Sequence, residues 1–292
     1  MEHESYRFKI GSFECICVSD GIREYPYDPI DWLYPDAPKE PLYKALREQG
    51  IEPEGWEQWV SDYTCLAINT GRHQVLVDTG DGNVLPTTGK LLPRLKAEGI
   101  EPEDIDIVII THAHPDHIGG NTNREGKPAF PKARYVMWKG EWEFWHPEPD
   151  LSDLDVPEDA IERLLRFVRD FLPPIRDQLD LIDHDKEIVP GVYGFSTAGH
   201  TPGHMAVAVS SGDEKLLVVG DALIQPINVE HPEWNARVDM LKEQAVASRH
   251  QLLLQAAADK ALVHGFHFPF PCLGYITSEE GAWKWHPMKT TD

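Results

Sequence analysis

Four apolar, strand-like runs in this chain each lead into a histidine or an aspartate, and that repetition restricts the fold more than any other feature. The first run, Ile105-Asp106-Ile107-Val108-Ile109-Ile110, is rich in β-branched residues and reads as a buried strand. It passes directly into Thr111-His112-Ala113-His114-Pro115-Asp116-His117-Ile118-Gly119-Gly120, where three imidazoles and a carboxylate fall within six residues. Further on come Ala198-Gly199-His200-Thr201-Pro202-Gly203-His204, then Val218-Val219-Gly220-Asp221-Ala222, then His264-Gly265-Phe266-His267-Phe268-Pro269-Phe270-Pro271. Strands delivering such residues at their ends, with helical segments between them, predict an α/β fold.

That density of donors points to metal. Neutral imidazole nitrogen and carboxylate oxygen suit zinc, manganese, cobalt or iron, and catalytic sites keep one position open. Four donors on one short loop cannot all converge on a single ion. His112 and His114 lie two apart and point the same way if strand geometry continues, whereas Asp116 and His117 fall on the following turn. Two adjacent metals fit better than one. The competing reading is a solvated loop in which Asp116 caps a helix, and the three downstream motifs weigh against it.

The order HxHxDH, a later His, a later Asp and a last His resembles the metallo-β-lactamase superfamily. The resemblance runs from about Phe8 to Tyr275. It implies that His112, His114 and His200 hold one metal, that Asp116, His117 and His267 hold the other, and that Asp221 bridges them. It also implies a four-layer αβ/βα sandwich, two divalent ions with zinc expected first, and an Asp78 that orients a ligand imidazole. The alternative for Asp78 is a turn residue before Gly80.

Departures narrow the branch. The flavodiiron proteins resemble this chain but carry Glu where His114 stands, and true β-lactamases usually lack an aspartate equivalent to Asp221. Glyoxalase II enzymes share the first motifs without the Phe-Pro-Phe-Pro run after the last ligand. That run, with Phe8-Lys9-Ile10-Gly11 and Ser19-Asp20-Gly21, looks like the branch of methyl parathion hydrolase and related lactonases and esterases. The small acyl-homoserine lactonases usually have a Tyr three residues after the bridging Asp, and here that position is Ile224.

The expected chemistry is hydrolysis of a lactone or carboxylic ester by a hydroxide bridging two cations about 3.5 to 4 Å apart. Asp116 or Asp221 accepts the water's proton, and no Ser/His/Asp nucleophile arrangement is visible. A phosphotriester hydrolase shares this attack geometry. A mononuclear iron dioxygenase acting on a persulfide shares the motif order with fewer ligands, and a metal-binding scaffold without turnover is the non-enzymatic alternative.

At 292 residues the chain is long enough for one large core, and residues 1–292 are read as a single domain. A net charge of −22 argues against a nucleic-acid substrate. Cys15, Cys17, Cys65 and Cys272 form no CxxC pair and read as buried reduced thiols. The polar start, Met1 to Arg7, has no signal-peptide pattern, and no apolar run is long enough to cross a bilayer. A cytoplasmic location with no membrane partner is the resulting expectation.

Helices are expected over Thr88–Glu98, Pro157–Leu172 and Met240–Lys260, and a hairpin at Ser211-Gly212-Asp213. The stripe Ile161, Leu164, Leu165 and Val168 reads as core packing. Two aromatic groups, Tyr25 to Tyr34 and Trp138, Trp142, Phe144 and Trp145, are candidates for the wall of a pocket that takes an apolar or aryl-bearing small molecule. Core filling or a homodimer contact is the alternative for both. Among the other histidines, His204 is expected to fix the turn that presents His200, His264 to face away from the metals, and His231 to lie on the surface, with proton donation to a leaving group as the alternative for His231.

Overall fold

The computed structural model describes residues 4–82 and 84–289. The first sheet begins with β1 (Ser5–Ile10) and β2 (Phe13–Glu24); α1 (Pro29–Leu33) and α2 (Lys39–Glu48) follow before β3 (Val60–Asn69) and β4 (Gln74–Val77). Next come α3 (Leu91–Ala97), β5 (Ile107–Ile110), α4 (Pro115–Ile118), β6 (Arg134–Trp138), α5 (Lys139–Trp145), α6 (Glu158–Phe171) and β7 (Leu179–Ile182). These seven strands lie in sequence order, antiparallel from β1 to β4 and parallel from β4 to β7. The second sheet holds β8 (Lys186–Val189), β9 (Val192–Ser196), β10 (Met205–Ser211) and β11 (Glu214–Val218). After α7 (Ile227–Glu230) and α8 (Lys242–Asp259) it is completed by β12 (Leu262–His264), β13 (Leu273–Glu279) and β14 (Ala282–Pro287).

Strand alternation decides which side chains meet. Cys15, Cys17, Leu66, Ile68, Val75, Val77, Ile107 and Ile109 face the second sheet, where Val207, Val209, Leu216 and Val218 meet them. The intervening residues, among them Val18, Cys65, Leu76, Val108 and Ile110, pack outward against Leu91 and Leu95 of α3 and Leu164, Phe167 and Val168 of α6. On the far side, Ala206, Leu217 and Val263 pack against Leu252, Leu253 and Ala256 of α8. The result is the expected four layers of helix, sheet, sheet and helix. Both faces of β5 are buried, so its sequence is continuously apolar rather than alternating.

The expected α6 is present, with Glu158 and Asp159 in its first turn and Pro173 after its end. The expected helix over Thr88–Glu98 is shorter, because α3 starts only at Leu91. The buried Asp20 carboxylate takes the backbone N–H of Gly89 and of Leu91, at 3.1 and 2.9 Å, and the Asp20 carbonyl takes that of Lys90. Those amides are bound to β2, which leaves residues 88–90 as an approach to the helix rather than its first turn. Among the described residues no helix is long and apolar enough to cross a membrane.

Candidate metal centre

The site forms where strands of both sheets end. Chain leaving β5 carries His112 and His114, and α4 carries Asp116 and His117. His200 sits in the loop between β9 and β10, Asp221 in the 3-10 turn after β11, and His267 in the loop after β12. All seven are buried. Their donor atoms fall into two groups, His112, His114, His200 and Asp221, and Asp116, His117 and His267, each lying within 4.8 Å of one another. Asp221 reaches both: Oδ1 is 3.2 Å from His117 Nε2, and Oδ2 is 3.4 Å from His200 Nε2 and 3.1 Å from His267 Nε2.

The outer nitrogen of each of four rings is held by a partner. His117 Nδ1 lies 2.8 Å from Asp78, His200 Nδ1 2.9 Å from Asp239, His267 Nδ1 2.8 Å from Ser61 and His112 Nδ1 3.1 Å from Thr111. Each contact fixes a tautomer and aims Nε2 inward. Yet Nε2 of His112, His114 and His117 and Oδ1 of Asp221 are buried with no hydrogen-bond partner. Buried polar atoms are rarely left so, and four converging in one place is the pattern a cation satisfies.

Charge agrees with that reading. Burial and the neighbouring imidazoles push His112 and His114 well below the usual histidine range, keeping them neutral donors. Burial also opposes charge on His117, but the Asp221 and Asp78 carboxylates outweigh it and push its proton affinity up. The negative potential acting on His117 would act equally on a metal ion.

Supporting residues tie the loops together. Asp78, at the end of β4 with φ +61°, accepts the Thr111 N–H at 2.8 Å and the Thr111 hydroxyl at 2.8 Å besides holding His117. It therefore pins both ends of the His112–His117 segment. Glu141 of α5 was not singled out by sequence, because Lys139-Gly140-Glu141 looks like an exposed helix start. It is fully buried and accepts four hydrogen bonds: from Ala113 N–H at 2.8 Å, Trp145 Nε1–H at 2.9 Å, the Thr201 hydroxyl at 2.6 Å and Gly203 N–H at 3.0 Å. One carboxylate thus joins the His112–His114 loop to the His200 loop. Gly203 is required there, since a Cβ would stand 1.9 Å from the Glu141 nitrogen.

A second unforeseen pair is Asp239 and Arg249. Arg249 of α8 is wholly buried and donates to Asp239 Oδ2 at 2.6 Å, to the Ala222 carbonyl at 2.8 Å and to the Trp234 carbonyl at 3.0 Å. It anchors the partner of His200 and the residue after Asp221 together. His204 does more than expected: Nδ1 meets Thr197 Oγ1 at 2.8 Å, and Nε2 accepts the Asp221 N–H at 3.1 Å. Burial lowers its pKa to about 3, so it stays a neutral acceptor. His264 is buried outside both donor groups, and His231 stacks on Trp234 away from the centre.

The centre forms the floor of a pocket walled by Tyr25, Tyr27, Trp32, Trp59, Leu164 and Ile224, with Arg23 and Arg163 on its sides. Tyr25, Tyr27 and Trp32 of the first aromatic group therefore line the pocket, whereas Tyr34 is buried against Trp234. The second group does not line it: Trp142, Phe144 and Trp145 pack on the outer core of the first sheet, and Trp138 on the core between sheets. Trp59 was not singled out in the sequence, because it lies outside both aromatic groups, in Gly55-Trp56-Glu57-Gln58-Trp59-Val60.

Residues 60–263 match the sequence profile of the metallo-beta-lactamase superfamily. The chain belongs to that superfamily. It is 28% identical over 225 residues to an N-acyl homoserine lactonase of a Bacillus species, covering 70% of this chain and 80% of that one. A lactonase of Bacillus cereus is 25% identical over 175 residues, which span only 61% of its length. Among solved structures, AidC, a dizinc quorum-quenching lactonase with a hexanoyl-homoserine product, is 28% identical with a TM-score of 0.89 over 99% of each chain. The hydrolase AbOPH, 23% identical with a TM-score of 0.84 over 99% of each chain, shares the fold. The superfamily, the dizinc neighbour and the paired donor groups together support two divalent metals in this chain.

Proposed function

We propose that this protein is a dizinc hydrolase that opens the ester bond of a lactone carrying an apolar acyl chain. The observation that carries this reading is a seven-donor centre at the floor of an aromatic pocket. In it His112, His114 and His200 would hold one ion and Asp116, His117 and His267 the other, with Asp221 within reach of both groups. When bound, the two ions acidify a water to near neutrality and polarise the carbonyl oxygen. Asp116 and Asp221 present carboxylates to the pocket and accept the proton given up by the attacking water. Tyr27, Trp32, Trp59 and Ile224 take the acyl chain and exclude bulk water.

The lactonase relatives and the AidC neighbour favour a lactone over other esters. The shared Asp221 favours two metals over the single iron of a dioxygenase. A cytoplasmic location belongs to the same reading, since all four cysteines are buried free thiols.

The test is proton release, followed with a pH indicator, from zinc-loaded protein given acyl-homoserine lactones, aryl esters and phosphotriesters in parallel. Lactone turnover well above the other two, abolished in His112→Ala, is the expected result. A preference for phosphotriesters would make the protein an organophosphate hydrolase. Silence across the panel, with oxygen uptake by protein holding one iron per chain, would overturn the reading.

A further inference from the structure

When an unactivated ester or lactone breaks, the leaving oxygen departs as an alkoxide, a strong base that must be protonated as it forms. Apart from Asp116 and Asp221, which serve as the base for the attacking water, the pocket wall offers few acids for this. Arg23 and Arg163 line it, but guanidinium does not release its protons. His114, His200 and His267 belong to the two donor groups. Ile224, next in the wall after Asp221, offers only hydrocarbon. Two phenols remain, and Tyr27 gives its hydroxyl proton to Asp159 at 3.2 Å.

Tyr25 is placed differently. Its ring is stacked on Trp59 at 4.3 Å, its backbone N–H is bound by the Trp59 carbonyl at 2.9 Å, and the Arg23 guanidinium lies 4.5 Å from its ring centroid. Its hydroxyl is 2.8 Å from that of Tyr63, which is fully buried with its ring 5.3 Å from His267. The Arg23 charge acts on Tyr63 as well. Either hydroxyl can donate in this pair, and the reacting arrangement is the one in which the Tyr63 proton points at the Tyr25 oxygen. The Tyr25 proton is then left for the pocket. Burial and the nearby Asp116 carboxylate keep Tyr25 protonated at rest, while Arg23 and the Tyr63 hydroxyl favour its anion.

We infer that Tyr25 is the catalytic acid that protonates the leaving oxygen, with Tyr63 and Arg23 as its positioning residues; this rests on the ester-hydrolysis reading above. As the acyl C–O bond breaks, its electron pair goes to the leaving oxygen, which takes the phenolic proton and becomes an alcohol. The phenolate accepts the Tyr63 hydrogen bond beside the Arg23 charge. The proton lost by the attacking water restores the phenol, so nothing else is consumed.

The experiment is kcat/KM for zinc-loaded wild type, Tyr25→Phe and Tyr63→Phe on one acyl group with leaving groups graded from alkyl alcohols to nitrophenol, plus the matching lactone. Tyr25→Phe is expected to lose about 10²-fold on the lactone and alkyl esters, the scale of general acid catalysis. That loss shrinks as the leaving group becomes more acidic, so the dependence on its pKa steepens. Tyr63→Phe is expected to steepen it by less. A uniform loss across the series would make Tyr25 a packing residue, and no loss would remove it from the reaction; either overturns the inference with the hydrolase reading intact. A wild-type enzyme inert on the whole series would overturn both.

Discussion

Glu141 shows how much one carboxylate can organise. Its Oε1 accepts from Ala113 and Trp145 and its Oε2 from Thr201 and Gly203, so every contact needs an acceptor. Glu141→Gln places an NH2 against at least one obligate N–H donor whichever way the amide turns, since only the Thr201 hydroxyl can reverse its role, and a buried unpaired polar group costs about 1–3 kcal/mol. We expect a lower urea midpoint together with weaker zinc binding by calorimetry, because the same residue joins two ligand loops. A drop in stability with unchanged zinc affinity would reduce Glu141 to packing. Asp239→Asn is predicted to be harsher: it removes the counter-charge of the buried Arg249, a loss of roughly 3–5 kcal/mol, and the charged acceptor that orients His200. Zinc affinity should fall about 10- to 100-fold, as when such partners are removed elsewhere. At this scale the gathering of these seven side chains was legible, since histidines and aspartates crowded at the ends of apolar strands are too costly to bury unless a cation pairs with them. Glu141, Asp239 and Arg249 were not, because a charged residue in a helix or at its edge looks the same whether it meets solvent or a buried partner.

At the scale of elements, periodicity located most strands and the long helices, while ends depended on contacts distant in sequence. Gly89, at φ +75°, is the local signal that residues 88–90 stand outside α3, and the amides bound by Asp20, about 70 positions earlier, hold them there. The end of α8 carries a different signature. Lys260 caps it in the left-handed region at φ +49°, where glycine is the usual residue. A side chain there costs about 1–2 kcal/mol, partly offset in a replacement by the greater freedom of unfolded glycine. Lys260→Gly should therefore stabilise the protein by about 0.5–1 kcal/mol, raising the urea midpoint at unchanged slope. A lowered midpoint would mean that the lysine stem contributes packing that outweighs its backbone strain.

For the whole molecule, the metal centre lies between two halves. His112, His114, Asp116 and His117 arrive from the first sheet, whereas His200, Asp221 and His267 arrive from the second. No single half holds either donor group, so bound metal cross-links the sandwich beyond its shared apolar core. In a chain of net charge −22, two cations also offset the repulsion among Asp78, Asp116 and Asp221 at the point where it is most concentrated. Ligand that binds only the folded state stabilises it by about 4 kcal/mol at 1,000 times its Kd, and one kcal/mol moves Tm by about 2–4 °C in proteins of this size. Removing metal with a chelator should thus lower Tm by about 10 °C, reversibly on addition of zinc, when followed by circular dichroism. His267→Ala should start from a lower Tm and respond less to the chelator, because one donor group is already broken. If the chelator left Tm unmoved in wild type, the four buried atoms without partners would have to be reconciled with a closed protein interior that needs no ion.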